Sequence, residues 1–332
     1  MNIGITLEGR NLDSVIKTKM PALGIDLGGT KIAYALVKDH KLVSQPRRVP
    51  TPHGGEKIIE TLIQLIADFQ KEHLIHGVGI ATAGIVNVDT GEVVGSTGNL
   101  PGWEGTPIKN IIERNTMLPV HVENDANAAA YGECRAAGLD QKECIVTITL
   151  GTGIGGGIVL KGKLYRGSHW AAGECGHIRI AIDNKRLCTC GLWDCWEAFA
   201  SGKGFRTTAH NLLSGLTSNQ SELASLGDTL TTEDVIAAAG GGDIVAKRVV
   251  TVWHEHIVTG LSTLAHTLDP DCIFITGGMS KFVDFELLNE LVADRTLPRI
   301  GEALTLRPSA LGDYAGLVGA GQLLIDSVTA KS

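Results

Sequence analysis

The sequence has no apolar stretch long enough to span a bilayer. Its first twenty residues are broken by Glu8, Arg10, Asp13, Lys17 and Lys19, so they also lack the apolar core of a signal peptide. There is no basic excess. A formal net charge of −7 over 332 residues argues against a nonspecific electrostatic grip on nucleic acid. It does not exclude an anionic small ligand, because backbone amides, Lys31 and a metal ion offset the charge locally. No Walker pattern occurs, since no glycine segment ends in Gly-Lys-Ser/Thr at the required spacing. A cytoplasmic location is expected, where the seven cysteines are thiols or metal ligands rather than bridges.

Glycine is plentiful. The 42 glycines cluster in motifs and not in a low-complexity tract. Two segments stand out: Gly24-Ile25-Asp26-Leu27-Gly28-Gly29-Thr30-Lys31 and Leu150-Gly151-Thr152-Gly153-Ile154-Gly155-Gly156-Gly157. Each lies between two apolar runs and reads as a tight turn joining strands. Amides crowded into such a turn form a concave donor surface suited to phosphate. Two of them suggest two similar halves closing on one nucleotide.

The element pattern repeats as the glycine turns do. In the first half, strands are expected at Ala22–Leu27 and Lys31–Val37, with a hairpin connection at Asp39-His40-Lys41. A helix is expected over Glu56–Glu72, its apolar stripe made by Ile58, Ile59, Leu62, Leu65, Ile66 and Phe69. Strands at Gly77–Ala81 and Pro119–Glu123 and a helix over Ala126–Ala137 complete that half. The second half gives strands at Cys144–Leu150 and Ile158–Leu160, and a helix over Asp243–Thr267. A strand at Cys272–Thr276 and a closing helix at Ala315–Ile325 end it. Residues 1–20 carry no motif. The order implies an α/β protein with two related lobes.

Gly151-x-Gly153-x-x-Gly156 satisfies the dinucleotide-binding fingerprint as a string, with Glu174 at a tempting distance for a ribose. That mechanism needs a helix opening inside the fingerprint. The next segment, Ile158 to Tyr165, reads instead as a β-hairpin, which argues against a nicotinamide-dependent dehydrogenase.

His177, Cys188, Cys190 and Cys195 have metal-ligand spacing, and one His with three Cys is a closed zinc set. Four protein ligands leave no open position, so the ion would be structural. The alternative is three free thiols in a loop, but three so close to Lys185 and Arg186 are poor core material. Cys134, Cys144, Cys175 and Cys272 are scattered and read as packing.

Together, Asp26–Thr30, Glu123-Asn124-Asp125-Ala126-Asn127-Ala128, the second glycine turn, Ala172–His177 and Cys188–Glu197 resemble the ROK family of sugar kinases and repressors. Their order matches from about residue 22 to the C-terminus, and Asn99-Leu100-Pro101-Gly102-Trp103 resembles the glucokinase branch. The resemblance implies an actin-like ATPase (ribonuclease H-like) fold of two related lobes around a central cleft. Expected bounds are an extension at 1–21, a small lobe of 22–124 plus about 313–330, and a large lobe of 125–312 holding the zinc loop. It also implies MgATP-dependent phosphorylation of a hexose, usually at O6. Asp194 stands where the family usually has glycine; if that position needs positive φ, aspartate tolerates it better than most residues. Repressor members carry a helix-turn-helix ahead of the first glycine motif, and the residues ahead of it here show no helix pair.

On this resemblance Asp125 is the general base that accepts the proton of the sugar hydroxyl, although capping the adjoining helix is the commoner fate of such an aspartate. Sugar contacts fall to Asn99, Asn124, Glu174, His177 and Glu197, a mix of donors and acceptors suited to hydroxyls. His177 would serve both zinc and sugar. Gly28, Gly29 and Thr30 make one phosphate turn, and Gly151, Thr152 and Gly153 the other. Asp26 holds Mg²⁺, through water, or else bonds within its own turn. Gly277-Gly278 lets adenine and ribose approach the backbone. Trp103, Trp193 and Trp196, and His254, His256 and His266, are packing or surface groups.

The expected partners are ATP and a hexose, with no nucleic acid or membrane. A homo-oligomer is expected, dimer or tetramer. Glucose is the first choice of substrate. N-acetylmannosamine, N-acetylglucosamine or a broad hexose range is the alternative, and a sugar-sensing regulator is the reading from another class.

Overall fold

The computed structural model describes residues 20–95, 100–218 and 220–329, together with two short strands, Thr6–Leu7 and Arg10–Asn11, that pair antiparallel. The chain forms two compact units. One comprises Met1–Asp140, Gly162–Ala172 and Tyr314–Ser332, the other Gln141–Lys161 and Gly173–Asp313.

In the first unit, β1 (Ala22–Leu27) and β2 (Lys31–Lys38) flank the first glycine turn. Asp39 and His40 both take positive φ, 49° and 63°, and turn the chain into β3 (Lys41–Leu42), as a two-residue hairpin of the primed type requires. The strand β4 (Arg47–Pro50) pairs with β2, and α1 (Gly55–Glu72) buries Ile58, Leu62, Leu65, Ile66 and Phe69. Then come β5 (Val78–Thr82), the small ribbon β6 (Ile85–Asn87) and β7 (Glu92–Gly95), α2 (Ile108–Thr116), β8 (Val120–Asn124) and α3 (Asp125–Ala136). The sheet runs β8-β5-β1-β2-β3. Its parallel strands β1, β5 and β8 end flush: Asp26 pairs with Ala81 and Ala81 with Glu123, then Leu27 with Thr82 and Thr82 with Asn124.

The sequence expectation puts residue 125 at the start of the second lobe. The structure places α3 in the first unit, packed on the C-terminal helix Ala315–Thr329. The two helix backbones approach so closely that a methyl group at Gly319 would overlap the Ala128 carbonyl, and the Tyr131 hydroxyl donates to Asp326. Such an approach needs small residues on both helices, which is why both read as Gly/Ala-rich.

The second unit repeats the strand plan. β9 (Cys144–Leu150) and β10 (Ile154–Leu160) flank the second glycine turn antiparallel. One-turn α4 (Glu197–Ala200), α5 (Gly202–Leu213), α6 (Thr232–Gly240) and α7 (Ile244–Leu268) precede β11 (Cys272–Thr276) and β12 (Thr305–Pro308). The order β10-β9-β11-β12, with β9, β11 and β12 parallel, matches β2-β1-β5-β8 of the first unit.

The second strand of the pair starts earlier than its sequence predicts, at Ile154 and not Ile158. Gly155, Gly156 and Gly157 pair with Thr149, Ile148 and Thr147, so ladder bonds to β9 override the poor strand propensity of glycine. α7 is capped at its start by Asp243, which accepts the Ala246 N–H at 2.8 Å, and it ends where Asp269 turns left-handed at φ 45°.

Candidate functional site

In both units the glycine turns lie at the C-terminal ends of parallel strands, the edge where open α/β sheets bind ligands. In the first unit the turn is held from outside. The Gly28 N–H donates to the Lys31 carbonyl at 3.1 Å, and the Thr51 hydroxyl donates to the Gly28 carbonyl at 2.7 Å. Gly29 and Thr30 are exposed, and Asp26 is half-buried beside them. The start of the C-terminal helix brings Asp26 near Asp125: the Cβ position at Gly316 lies 3.5 Å from Asp26 Cγ and 3.6 Å from the Asp125 carbonyl oxygen.

The cap of α3 is Asn124, not Asp125. Asn124 Oδ1 accepts the Asn127 N–H at 3.0 Å, and its amide nitrogen donates to the Gly84 carbonyl at 3.0 Å. Asp125 is the first helical residue, half-buried, with Oδ1 accepting the Ala126 N–H at 2.8 Å. Beneath them Glu123 is buried. Its Oε2 receives Arg166 Nε at 2.8 Å and Nη2 at 2.6 Å, and its Oε1 receives the Asn127 amide and the Asn124 N–H, each at 3.1 Å. Burial pushes this carboxyl up, but nearby His121 and the Arg166 guanidinium outweigh it and hold the group below the usual glutamate range. Neither Arg166 nor Thr51 stands out in the sequence, because each meets its partner across a long sequence separation with no local pattern. Asn99 lies outside the described residues.

In the second unit, Gly151, Thr152 and Gly153 form a bend closed by the Gly151 N–H to the Gly153 carbonyl at 3.0 Å. Gly277 comes directly after β11 at φ 92°, and the Met279 N–H donates to the Leu150 carbonyl at 2.9 Å, so Gly277-Gly278 adjoins this turn. Glu197, at the start of α4, joins the turn to the cysteine loop. Its Oε2 accepts the Ile154 N–H at 2.9 Å and its Oε1 accepts the Thr189 hydroxyl at 2.6 Å. Glu174 Oε2 lies 3.8 Å from His177 Nε2. Burial raises the Glu174 carboxyl, with Glu197 adding to the shift and His177 opposing it.

The other ring nitrogen of His177, Nδ1, faces Cys188 Sγ at 3.8 Å, and Cys190 Sγ faces Cys195 Sγ at 3.7 Å. The ligand atoms of His177, Cys188, Cys190 and Cys195 all lie within 4.8 Å of one another. Tetrahedral zinc, with bonds of about 2.0–2.3 Å, needs donors roughly 3.3–3.8 Å apart. The donor set, with the His177–Cys188 and Cys190–Cys195 pairs at that separation, is compatible with a closed zinc site.

Asp194 sits in this loop at φ 61°, fully buried, and its Oδ1 accepts the Lys185 and Arg186 N–H groups at 2.8 and 3.0 Å. The left-handed backbone is the conformation glycine would take, and the carboxylate adds bonds that glycine lacks. Arg186 anchors the loop below, donating to the Ala198 and Gly204 carbonyls and the Thr208 hydroxyl, with its guanidinium 4.5 Å from the centre of the Phe199 ring.

The remaining candidates are packing or surface groups. Trp103 and Trp196 are buried with their indole N–H groups bonded to Thr82 Oγ1 and the His256 carbonyl, and Trp193 is 45% exposed. His254 bonds the Val250 carbonyl and the Asp284 N–H. Cys134, Cys144, Cys175 and Cys272 are buried.

Two units of one strand order, each with a glycine turn at the ends of its parallel strands, define an actin-like ATPase fold. The chain belongs to the ROK family, whose profile matches residues 22–327. It is 35% identical over 312 residues to a glucokinase of Streptomyces coelicolor, covering 91% of this chain and 96% of that one. It is 28% identical to an N-acetyl-D-glucosamine kinase of Salmonella heidelberg, covering 90% and 97%. Among solved structures it is similar to a ROK family glucokinase from Streptomyces griseus in complex with glucose and AMPPNP. That match has a TM-score of 0.75 and 34% identity, over 91% of this chain and 98% of that one.

Proposed function

We propose that this chain is a glucokinase that transfers the γ-phosphoryl group of ATP to O6 of glucose. The observation that carries the reading is that Asn124 takes the capping role at α3. Asp125 is then the first helical residue, with one oxygen on the Ala126 N–H, and it stands at a strand end near Asp26. Identity to glucokinases at about 35% over nearly the whole chain supports the substrate pair.

In this reading Asp125 accepts the O6 proton as the new O6–P bond forms, and the bond between the γ-phosphorus and the ADP oxygen breaks. The turns Gly28-Gly29-Thr30 and Gly151-Thr152-Gly153 receive the phosphates, and Gly277 and Gly278 adjoin the adenosine. The N–H groups of Gly28 and Gly151 brace the turns, and those of Gly29, Thr30, Thr152 and Gly153 serve as donors. Asp26 would hold Mg²⁺, which neutralises charge on the transferring phosphates when bound. Asn99, Asn124, Glu174, His177 and Glu197 bind sugar hydroxyls. His177, Cys188, Cys190 and Cys195 would hold a structural zinc ion. None of the described helices is long and apolar enough to cross a membrane.

The test is a coupled ADP-release assay with glucose, mannose, fructose, N-acetylglucosamine and N-acetylmannosamine, with the product position read by phosphorus NMR. Glucose should give the highest kcat/KM and phosphate at O6. Asp125→Asn should lose roughly 10²–10⁴-fold in kcat while still binding glucose. A preference for an N-acetyl sugar would move the assignment to that kinase. Near-normal turnover by Asp125→Asn would overturn the base assignment.

A further inference from the structure

The cysteine loop and the second glycine turn meet at one carboxylate. Glu197 Oε2 receives the Ile154 N–H directly after the turn, and its Oε1 receives the Thr189 hydroxyl. Thr189 stands between Cys188 and Cys190, and Cys188 Sγ lies 3.5 Å from the same Oε1. The turn is shaped around this carboxylate, since a methyl group at Gly153 would collide with Glu197 Oε2. A cavity of about 320 Å³ opens beside the relay, lined by Thr152, Thr189, Glu197, Ser201 and Lys203 among others.

A glutamate carboxylate rotates readily about its last torsion, and only donors fix it. Here Ile154 fixes one oxygen and Thr189 the other. Resting on the kinase reading above, we infer that Thr189 is a positioning residue for nucleotide binding. Its hydroxyl orients Glu197, Glu197 holds the Gly151–Gly153 turn in its phosphate-accepting shape, and the metal loop sets the place of the hydroxyl. The structural metal is thereby coupled to the nucleotide as well as to the sugar.

The experiment is calorimetric titration of the full-length, metal-loaded protein with MgAMPPNP, for wild type, Thr189→Val and Thr189→Ser, with zinc content measured on the same samples. Valine keeps the size and removes the hydroxyl; serine keeps the hydroxyl. Losing a hydrogen bond to a carboxylate should weaken Kd by roughly five- to tenfold in Thr189→Val. Thr189→Ser should stay within about twofold of wild type, with zinc unchanged in both. Unchanged affinity in Thr189→Val, equal weakening in both variants, or loss of zinc from Thr189→Val would each overturn the inference while leaving the kinase reading intact. Failure of the wild-type protein to bind MgAMPPNP would overturn the kinase reading and the inference with it.

Discussion

Arg166 places two guanidinium nitrogens, at 2.8 and 2.6 Å, on a single oxygen of the buried Glu123 carboxylate, one residue ahead of the Asn124-Asp125 pair. The other oxygen of Glu123 holds the first turn of α3 through Asn124 and Asn127. The ion pair thus fixes the strand end from which Asp125 emerges. Arg166→Met should strand a buried carboxylate and lower unfolding free energy by about 2–4 kcal/mol, allowing for the partial exposure of the guanidinium. Urea denaturation measures it. The double variant with Glu123→Gln should recover part of the loss, because no charge is then left unpaired.

The same pair predicts acid sensitivity. Glu123 is held below the usual glutamate range, so as pH falls the unfolded chain takes up a proton at this position before the folded one does. The stabilisation is complete above about pH 4.3, the ordinary glutamate value, and is lost as pH drops through the depressed folded value. Glu123→Gln has nothing to titrate. The Tm advantage of wild type over Glu123→Gln should therefore be greatest near neutrality and narrow below that point. Melting curves between pH 7 and pH 3 decide it, and a gap independent of pH would contradict the assignment.

Much of this was legible because it is local. Both glycine turns, the cysteine spacing, the hairpin at Asp39-His40 and the apolar stripe of α1 depend on residues a few positions apart. The Glu123–Arg166 pair and the bond of Glu197 to Ile154 each join residues 43 positions apart, and nothing near either partner encodes the meeting. The start of β10 was obscured because its glycines owe their strand conformation to β9 and not to their own preference. The membership of α3 in the first unit was hidden for a similar reason: its partner is the distant C-terminal helix.

Gly153 reports on the Glu197 contact from the turn side. Gly153→Ala would push a methyl group into the carboxylate that holds Ile154. Glu197 must then swing aside, losing a charge-assisted bond, while the protein backbone elsewhere is undisturbed. KM for ATP should rise about tenfold, corresponding to about 1.4 kcal/mol, with only a small change in Tm. Steady-state kinetics and a melting curve on the same preparation test it, and an unchanged KM for ATP would show that the turn tolerates the displacement.

Asp194 makes the cysteine loop separable into backbone shape and hydrogen bonding. The position needs the left-handed conformation, and its carboxylate ties down the Lys185 and Arg186 N–H groups just ahead of Cys188. Asparagine tolerates that backbone and keeps an acceptor oxygen, glycine keeps only the backbone, and alanine keeps neither. Zinc retention during dialysis against a chelator should therefore fall in the order wild type, Asp194→Asn, Asp194→Gly, Asp194→Ala, read by elemental analysis against one zinc per chain. The exposed thiol of Cys190 gives the chelator its entry. If Asp194→Ala kept its metal as well as Asp194→Asn, neither the left-handed backbone nor the carboxylate would be holding the loop in its binding shape.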